Sequence, residues 1–320
     1  MLFRSCKKGN SAVERFLNGE SGILLVTGEK RSGKSAFSRY LAMSCFESER
    51  IFNLRAPNEN SSDINMFDEQ LIKVLNNGAK SVDEAFYNLP DKSVIIINDL
   101  EIWWERREGG TAVVERIIEL TKVYGNKVLF IVNVNKYSLN IINKLTSINF
   151  WLNDLILCQP FSAKDIKELI MLRHKAGGLK FIYRSRREDD MTNWEFAALF
   201  NRIFKLSSGN PGYAISVWLS SIVEFKDGIL YLDRPISFSS SLTDNLTDDQ
   251  ILCLLQFILH RRFSKNHLTS VLKRDSKTIS MIIQSLLNRG LITEKFPGVY
   301  SLEKMTEHLL IEKFKTLELI

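Results

Sequence analysis

Hydrophobic positions along this chain follow two periods. Short apolar runs at residues 23–26, 50–54, 94–97, 127–132 and 154–158 carry apolar side chains on both faces. That is the pattern of strands covered by helices on either side of a parallel sheet. Between them the apolar residues recur at helical spacing. Residues 61–75 show it best, with Ile64, Phe67, Leu71, Val74 and Leu75 on one stripe. Further helices are predicted over 11–17, from about 33 to 45, over 81–89 before Pro90, over 111–124, and from about 138. Five strands alternating with helices predict an α/β unit with a parallel sheet.

After Pro160 the pattern becomes mostly helical. Helices are predicted over 162–175, 193–206 and 211–225, with short strands at 181–183 and 229–232 and an exposed charged loop over 184–190. Pro211 suits the first turn of its helix. From residue 242 a third pattern begins: helices over 248–261, 264–272 and 276–289, a hairpin over 291–302 around Pro297-Gly298, and a last helix over 303–317. Three helices followed by a hairpin is the winged-helix layout. The expected units are residues 1–160, a P-loop core; 161–235, a helical lid; and 236–320, a winged helix.

Composition narrows the class without choosing a function. The 320 residues are 45% hydrophobic and 25% charged, ordinary globular values for a chain of two or three domains. The net charge of +6 permits nucleic-acid or acidic-membrane contact, and equally a solvated mixed surface. The four cysteines, Cys6, Cys45, Cys158 and Cys253, are widely spaced, and the four histidines show no metal-ligand spacing. No apolar run reaches the length of a membrane span, so a soluble, cytoplasmic protein is expected.

The chemistry is concentrated after the first strand. Gly28-Glu29-Lys30-Arg31-Ser32-Gly33-Lys34-Ser35 reads G-x-x-x-x-G-K-S, with a strand before it and a helix after it. Gly28 and Gly33 allow the tight bend that turns backbone N–H groups onto phosphate oxygens. The helix N-terminus, running into Ala36, adds its dipole. Lys34 supplies a charge for the β- and γ-phosphates, and Ser35 a hydroxyl for Mg²⁺. ATP is the default nucleotide, because no N-K-x-D sequence marks a guanine site.

The second element is Val94-Ile95-Ile96-Ile97-Asn98-Asp99-Leu100-Glu101. A carboxylate at the C-terminal end of such a strand faces the phosphate loop and can hold Mg²⁺. Asn98 stands where an Asp is usual. Either Asp99 serves the metal and Glu101 is the base, or Asp99 is the base and the metal is held less strongly; an acidic turn with no chemistry is the third reading. Asn133, with Asn135 as alternative, is placed to orient water or the γ-phosphate, or else it caps the next helix. Trp103-Trp104 is a partner-contact loop or core, and Arg106 and Arg107 reach a γ-phosphate or stay on the surface. Lys273, Arg274, Lys277 and Arg289 surround the third winged-helix helix and could meet DNA phosphates.

On these motifs the chain resembles the AAA+ and STAND group of P-loop ATPases. It is most similar to the branch that joins an origin-recognition-type core and helical lid to a winged helix. The carriers are Gly28 to Ser35, Val94 to Glu101, the Val132-Asn133-Val134-Asn135 strand end, similar to sensor 1, and Gly209-Asn210-Pro211-Gly212. The resemblance implies a sheet of order 5-1-4-3-2, bound ATP and Mg²⁺, and Pro211 packing near the nucleotide. No sensor arginine stands beside Pro211, and two departures, Asn98 in place of the usual Asp and the lack of an arginine finger in residues 143–153, argue against fast hydrolysis. The implied function is a slow ATPase acting as a nucleotide-dependent switch in signalling or defence, with a protein partner or self-association as output. The alternative is a DNA-binding ATPase resembling replication initiators or loaders.

Overall fold

The computed structural model describes residues 2–76, 78–236 and 240–320. The first unit contains α1 (Leu2–Leu17), β1 (Ile23–Gly28), α2 (Lys34–Cys45), β2 (Ile51–Leu54), α3 (Ile64–Leu75), α4 (Val82–Tyr87), β3 (Ser93–Ile97), α5 (Ala112–Tyr124), β4 (Val128–Asn135), α6 (Lys136–Leu145) and β5 (Leu152–Cys158). The five strands form one parallel sheet of order β2-β3-β4-β1-β5, the expected order. Alternate residues serve opposite faces, as the pleat requires. Ile23, Leu25, Ile95, Ile97, Phe130 and Val132 pack with α3, α4 and α5. Leu24, Val26, Val94, Ile96, Leu129 and Ile131 pack with α1 and α2.

Helix α1 begins earlier than the periodicity predicts. The prediction starts at residue 11, but Gly9 lies inside the helix, against Leu41 and Phe37 of α2. An added Cβ there would meet their side chains at 3.0–3.1 Å. The glycine thus marks a close helix crossing.

The tryptophan pair is core. Trp103 and Trp104 are both fully buried. Trp103 meets Phe67 edge-on, with ring centroids 5.2 Å apart, and Trp104 lies 4.3 Å from the His260 ring. The partner-contact reading of this loop therefore fails.

The lid comprises α7 (Ala163–Ala176), β6 (Lys180–Tyr183), β7 (Arg186–Arg187), α8 (Asn193–Ser207), α9 (Pro211–Ser220), β8 (Ile222–Lys226) and β9 (Ile229–Leu232). It carries a four-stranded sheet, β7-β6-β9-β8, beside its helices. The long helix predicted over 211–225 stops at Ser220. Residues from Ile222 onward instead pair with β9 across Asp227-Gly228, both with positive φ, 52° and 76°. Such a two-residue turn matches strand twist, and the pairing satisfies the backbone that a helix would have used. The charged stretch over 184–190 likewise contains β7, which turns back on β6 through Arg184-Ser185.

The last unit contains α10 (Asp248–His260), β10 (Arg262–Ser264), α11 (Lys265–Leu272), α12 (Ser276–Asn288), β11 (Ile292–Phe296), β12 (Val299–Leu302) and α13 (Glu307–Thr316). Its sheet has the order β10-β12-β11, so a short third strand joins the predicted hairpin. Tyr137 of α6 is buried in the core of this unit.

Candidate nucleotide-binding site

The site lies at the C-terminal ends of β1, β3 and β4, where open α/β sheets bind ligands. The loop after β1 folds tightly. A Cβ on Gly28 would stand 2.8 Å from Ser32 Oγ and 2.9 Å from the Cys158 carbonyl oxygen. Gly33 (φ 95°) is the N-cap of α2, and no side chain caps the first-turn N–H groups. Those donors, with Ser35 and Ala36 exposed beside them, are left for an anion.

Lys34 is buried, and its ammonium donates to the carbonyls of Gly28 (3.1 Å) and Glu29 (2.8 Å). Burial lowers its proton affinity, while the charges of Glu101 and Asp99 partly restore it. A desolvated cation bonded only to carbonyls is a place where a phosphate supplies the missing countercharge. Ser32 Oγ is buried without a partner at the same place. These features fit the polyphosphate of a nucleotide.

A cavity of about 910 Å³ opens from the loop toward β5 and the lid, lined by Ser32, Gly33, Tyr40, Leu157, Phe161 and Pro211 among others. Its size and largely apolar wall suit a nucleoside. The lid is bonded directly to the loop. Asn210 caps α9, donates from Nδ2 to the Lys30 carbonyl (2.9 Å), and leaves Pro211 at the first helical position. Gly212 N–H donates to the Arg31 carbonyl (3.2 Å), and a Cβ on Gly212 would come within 2.5 Å of Arg31 Cβ. Arg31 (φ 63°) lies 5.0 Å over the Tyr213 ring. The Gly209-Asn210-Pro211-Gly212 sequence is thus a clasp on the loop.

At the opposite wall, Asn133 sits inside β4. Ser38 Oγ donates to its Oδ1 (2.6 Å), and its Nδ2 donates to Asn98 Oδ1 (2.8 Å). Asn98 Nδ2 in turn donates to Asn53 Oδ1 (2.5 Å). Asn98 therefore belongs to an amide chain rather than to a carboxylate pair. Asn135 is the residue that caps α6, accepting from Tyr137 N–H. Arg107 pairs with Glu105 and also donates to Ser62 Oγ, so its charge is already engaged away from the loop.

Glu101 is 2% exposed, and its Oε2 accepts the Asn135 N–H at 3.0 Å. Burial raises its pKa, the Asp99 charge adds to that, and Lys34 and Arg261 oppose it. Asp99, in a left-handed conformation (φ 55°), forms an ion pair with Arg261. Mg²⁺ usually takes one or two carboxylates with phosphate oxygens and water. Asp99 and Ser35 can supply that set once Arg261 leaves Asp99. Among the described residues no cluster of three or more His, Cys, Asp or Glu forms a metal cage.

Arg261 is the residue that sequence reasoning missed, and its position has a clear cause. The last carbonyls of α10 have no helical partner. Core side chains satisfy them: Asn135 Nδ2 donates to the Ile258 carbonyl (2.9 Å), Ser138 Oγ to that of Leu259, and Asn60 Nδ2 to that of His260 (3.1 Å). The next residue, Arg261, is thereby aimed at Asp99. The loop is also bound to the last helix. Lys30 pairs with the buried Glu307 at 2.9 Å. Glu29 meets Lys136 at 2.8 Å and Lys315 at 3.1 Å. Burial alone would raise the Glu29 pKa, but these two lysines overcome it and hold it at about 2.

No protein-family profile matches this chain. No curated protein sequence matches it either. Solved structures do. The ORC2 protein of Aeropyrum pernix in its ADP form is similar with a TM-score of 0.53 at 10% identity, over 98% of this chain and 92% of that one. The same protein in its ADPNP–ADP complexes gives 0.51 at 9% identity, over 98% and 94%. Sheet order, phosphate loop, lid and C-terminal winged helix agree with that likeness, and the chain carries the fold of the origin-recognition-type AAA+ ATPases.

Proposed function

We propose that this chain is an ATP-dependent DNA-binding protein in which nucleotide controls the position of the winged helix. One observation carries the reading: both ends of the phosphate site are ion-paired to the winged-helix unit, through Lys30–Glu307 and Asp99–Arg261, while the outer face of α12 stays open. Lys277, Met281, Gln284 and Asn288 are exposed at helical spacing on that face. The ADP and ADPNP complexes of the Aeropyrum relative support ATP as the ligand.

Bound Mg·ATP supplies a reactive γ-phosphoryl group. Lys34 and the first turn of α2 hold the phosphates. Asn133, fixed by Ser38 and Asn98, orients a water or a phosphate oxygen. Glu101 is the base, held by the Asn135 N–H, and Asp99 serves the metal when released from Arg261. Asp99 leaves Arg261 before it serves the metal, so hydrolysis is slow and the nucleotide marks a state.

The test is binding of labelled duplex DNA with ADP and with a non-hydrolysable ATP analogue, at two salt concentrations. Nucleotide-dependent affinity that Lys273→Glu and Lys277→Glu weaken supports the proposal. Affinity indifferent to both overturns it. A second reading, a switch with a protein partner in signalling or defence, is favoured by a specific feature. Arg274 is paired with Asp249, and Arg289 donates to the Asp244 carbonyl, which leaves fewer open cations near α12.

A further inference from the structure

The lid contains a second cavity, of about 820 Å³, that shares no lining residue with the nucleotide pocket. One wall is a face of α8 that presents Trp194, Ala198, Asn201, Arg202 and Lys205 at helical spacing, opposite the buried Leu199, Phe200 and Ile203. The turn between β6 and β7 adds Arg184, β7 adds Arg186, and Arg234 follows β9. Five cations therefore surround one cavity, and Glu195 is the acid among its lining residues. That carboxylate is already used, accepting from Thr192 N–H and Oγ1 and pairing with Arg186. Among the described residues, none offers a carboxylate partner to Arg184, Arg202, Lys205 or Arg234, and of the four only the Arg202 side chain donates a hydrogen bond, from Nε to the Pro235 carbonyl. Trp194 is 78% exposed at the rim, a large apolar ring left in water.

We propose that this cavity binds single-stranded nucleic acid. An exposed indole beside uncompensated guanidinium groups is the pairing that single-strand sites use: a stacking face for bases and cations for the phosphates. Residues 194 to 205 span about 16 Å of helix at 1.5 Å per residue, which is room for several nucleotides. A duplex hides its base faces from Trp194, so the strand must be single. An acidic peptide offers charge but need not carry a ring, whereas every nucleotide brings a base face for Trp194 to stack on.

The experiment is fluorescence anisotropy with labelled oligo-dT on the full chain carrying Lys273→Glu and Lys277→Glu, so that the winged helix does not contribute. The expected result is salt-sensitive binding that Trp194→Ala weakens about 5- to 100-fold and Trp194→Phe largely preserves. Lys205→Glu with Arg234→Glu should lower the salt slope by about 0.7 for each phosphate that is no longer neutralised. Trp194, Lys205 and Arg234 are all exposed, and an unchanged thermal midpoint verifies folding. Affinity unchanged by both sets of substitutions overturns the proposal. Polyglutamate competing as well as oligo-dT of equal charge also overturns it, in favour of an acidic peptide. None of these readouts depends on ATP, so the proposal stands or falls apart from the nucleotide reading.

Discussion

Arg261→Met removes the cation that joins the winged helix to the acidic end of β3 and keeps most of the side-chain volume. Its consequence follows from burial. The Arg261 and Asp99 side chains are 24% and 25% exposed, and Glu101 beside them is 2% exposed. Breaking a fully buried pair costs about 3–5 kcal/mol. Because a quarter of each side chain reaches water, the lower end applies, about 3 kcal/mol. A double-mutant cycle with Asp99→Asn, measured by urea unfolding with tryptophan fluorescence, should return a coupling energy of about 1.5–3 kcal/mol. Mg·ATP affinity should change in the opposite direction. On the proposed reading the pair opens before Asp99 serves the metal, so its rupture is a cost on binding that the variant no longer bears. A gain of 1.4 kcal/mol is tenfold, and Arg261→Met should bind Mg·ATP at least about tenfold more tightly. Coupling below about 0.5 kcal/mol together with unchanged ATP affinity would refute the reasoning and reduce the pair to an incidental contact.

Three further outcomes follow from the geometry. Lys34→Ala should weaken ATP binding at least about 30-fold, from a loss of about 2 kcal/mol or more for one partner of a buried charged contact; retained affinity by equilibrium dialysis removes the site assignment. His260 is fully buried between Trp104 and Phe263, and burial holds its pKa down at about 3, below the usual 6.5. The unfolded chain therefore binds the extra proton between those values, and stability is lost as pH falls below 6.5. The loss should be about 1.4 kcal/mol per pH unit, flattening near pH 3, and His260→Phe should remove that slope from urea midpoints measured against pH. Asn98→Asp replaces an amide that donates to Asn53 Oδ1 and the Leu54 carbonyl with a carboxylate that cannot donate. It should lower stability by about 1–2 kcal/mol, and an unchanged unfolding midpoint would show that the amide chain contributes nothing.

Local pattern was enough for a large part of this molecule. The phosphate loop was legible because its requirements are chain-local: a strand, two glycines with defined backbone demands, and a helix start within a few residues. The sheet was legible because residues 94–97 and 128–132 are apolar on both faces, which only a doubly covered strand tolerates. The Ser162–Asp165 capping box is a chain-local feature of the same kind, and it is formed. Where neighbouring patterns compete, local reading failed. Residues 222–226 fit a helix's periodicity, and only pairing with β9 made them a strand.

The site divides along the same line. Sequence alone placed Lys34, Ser35, Asp99, Glu101 and Asn133 near one sheet edge, because all follow or end strands of an expected order. It did not reveal that Asn98 is an amide link between Asn53 and Asn133. Nor did it reveal Arg261, Glu307 or Lys315, which reach the site from the far end of the chain. No period or motif marks them, since a charged residue at a helix end is ordinarily solvated. They became part of the site only because core side chains cap the carbonyls of α10 and so fix where the winged helix sits. Long-range electrostatics depends on that docking, and docking is set by packing and hydrogen bonds between units, which tertiary structure alone decided.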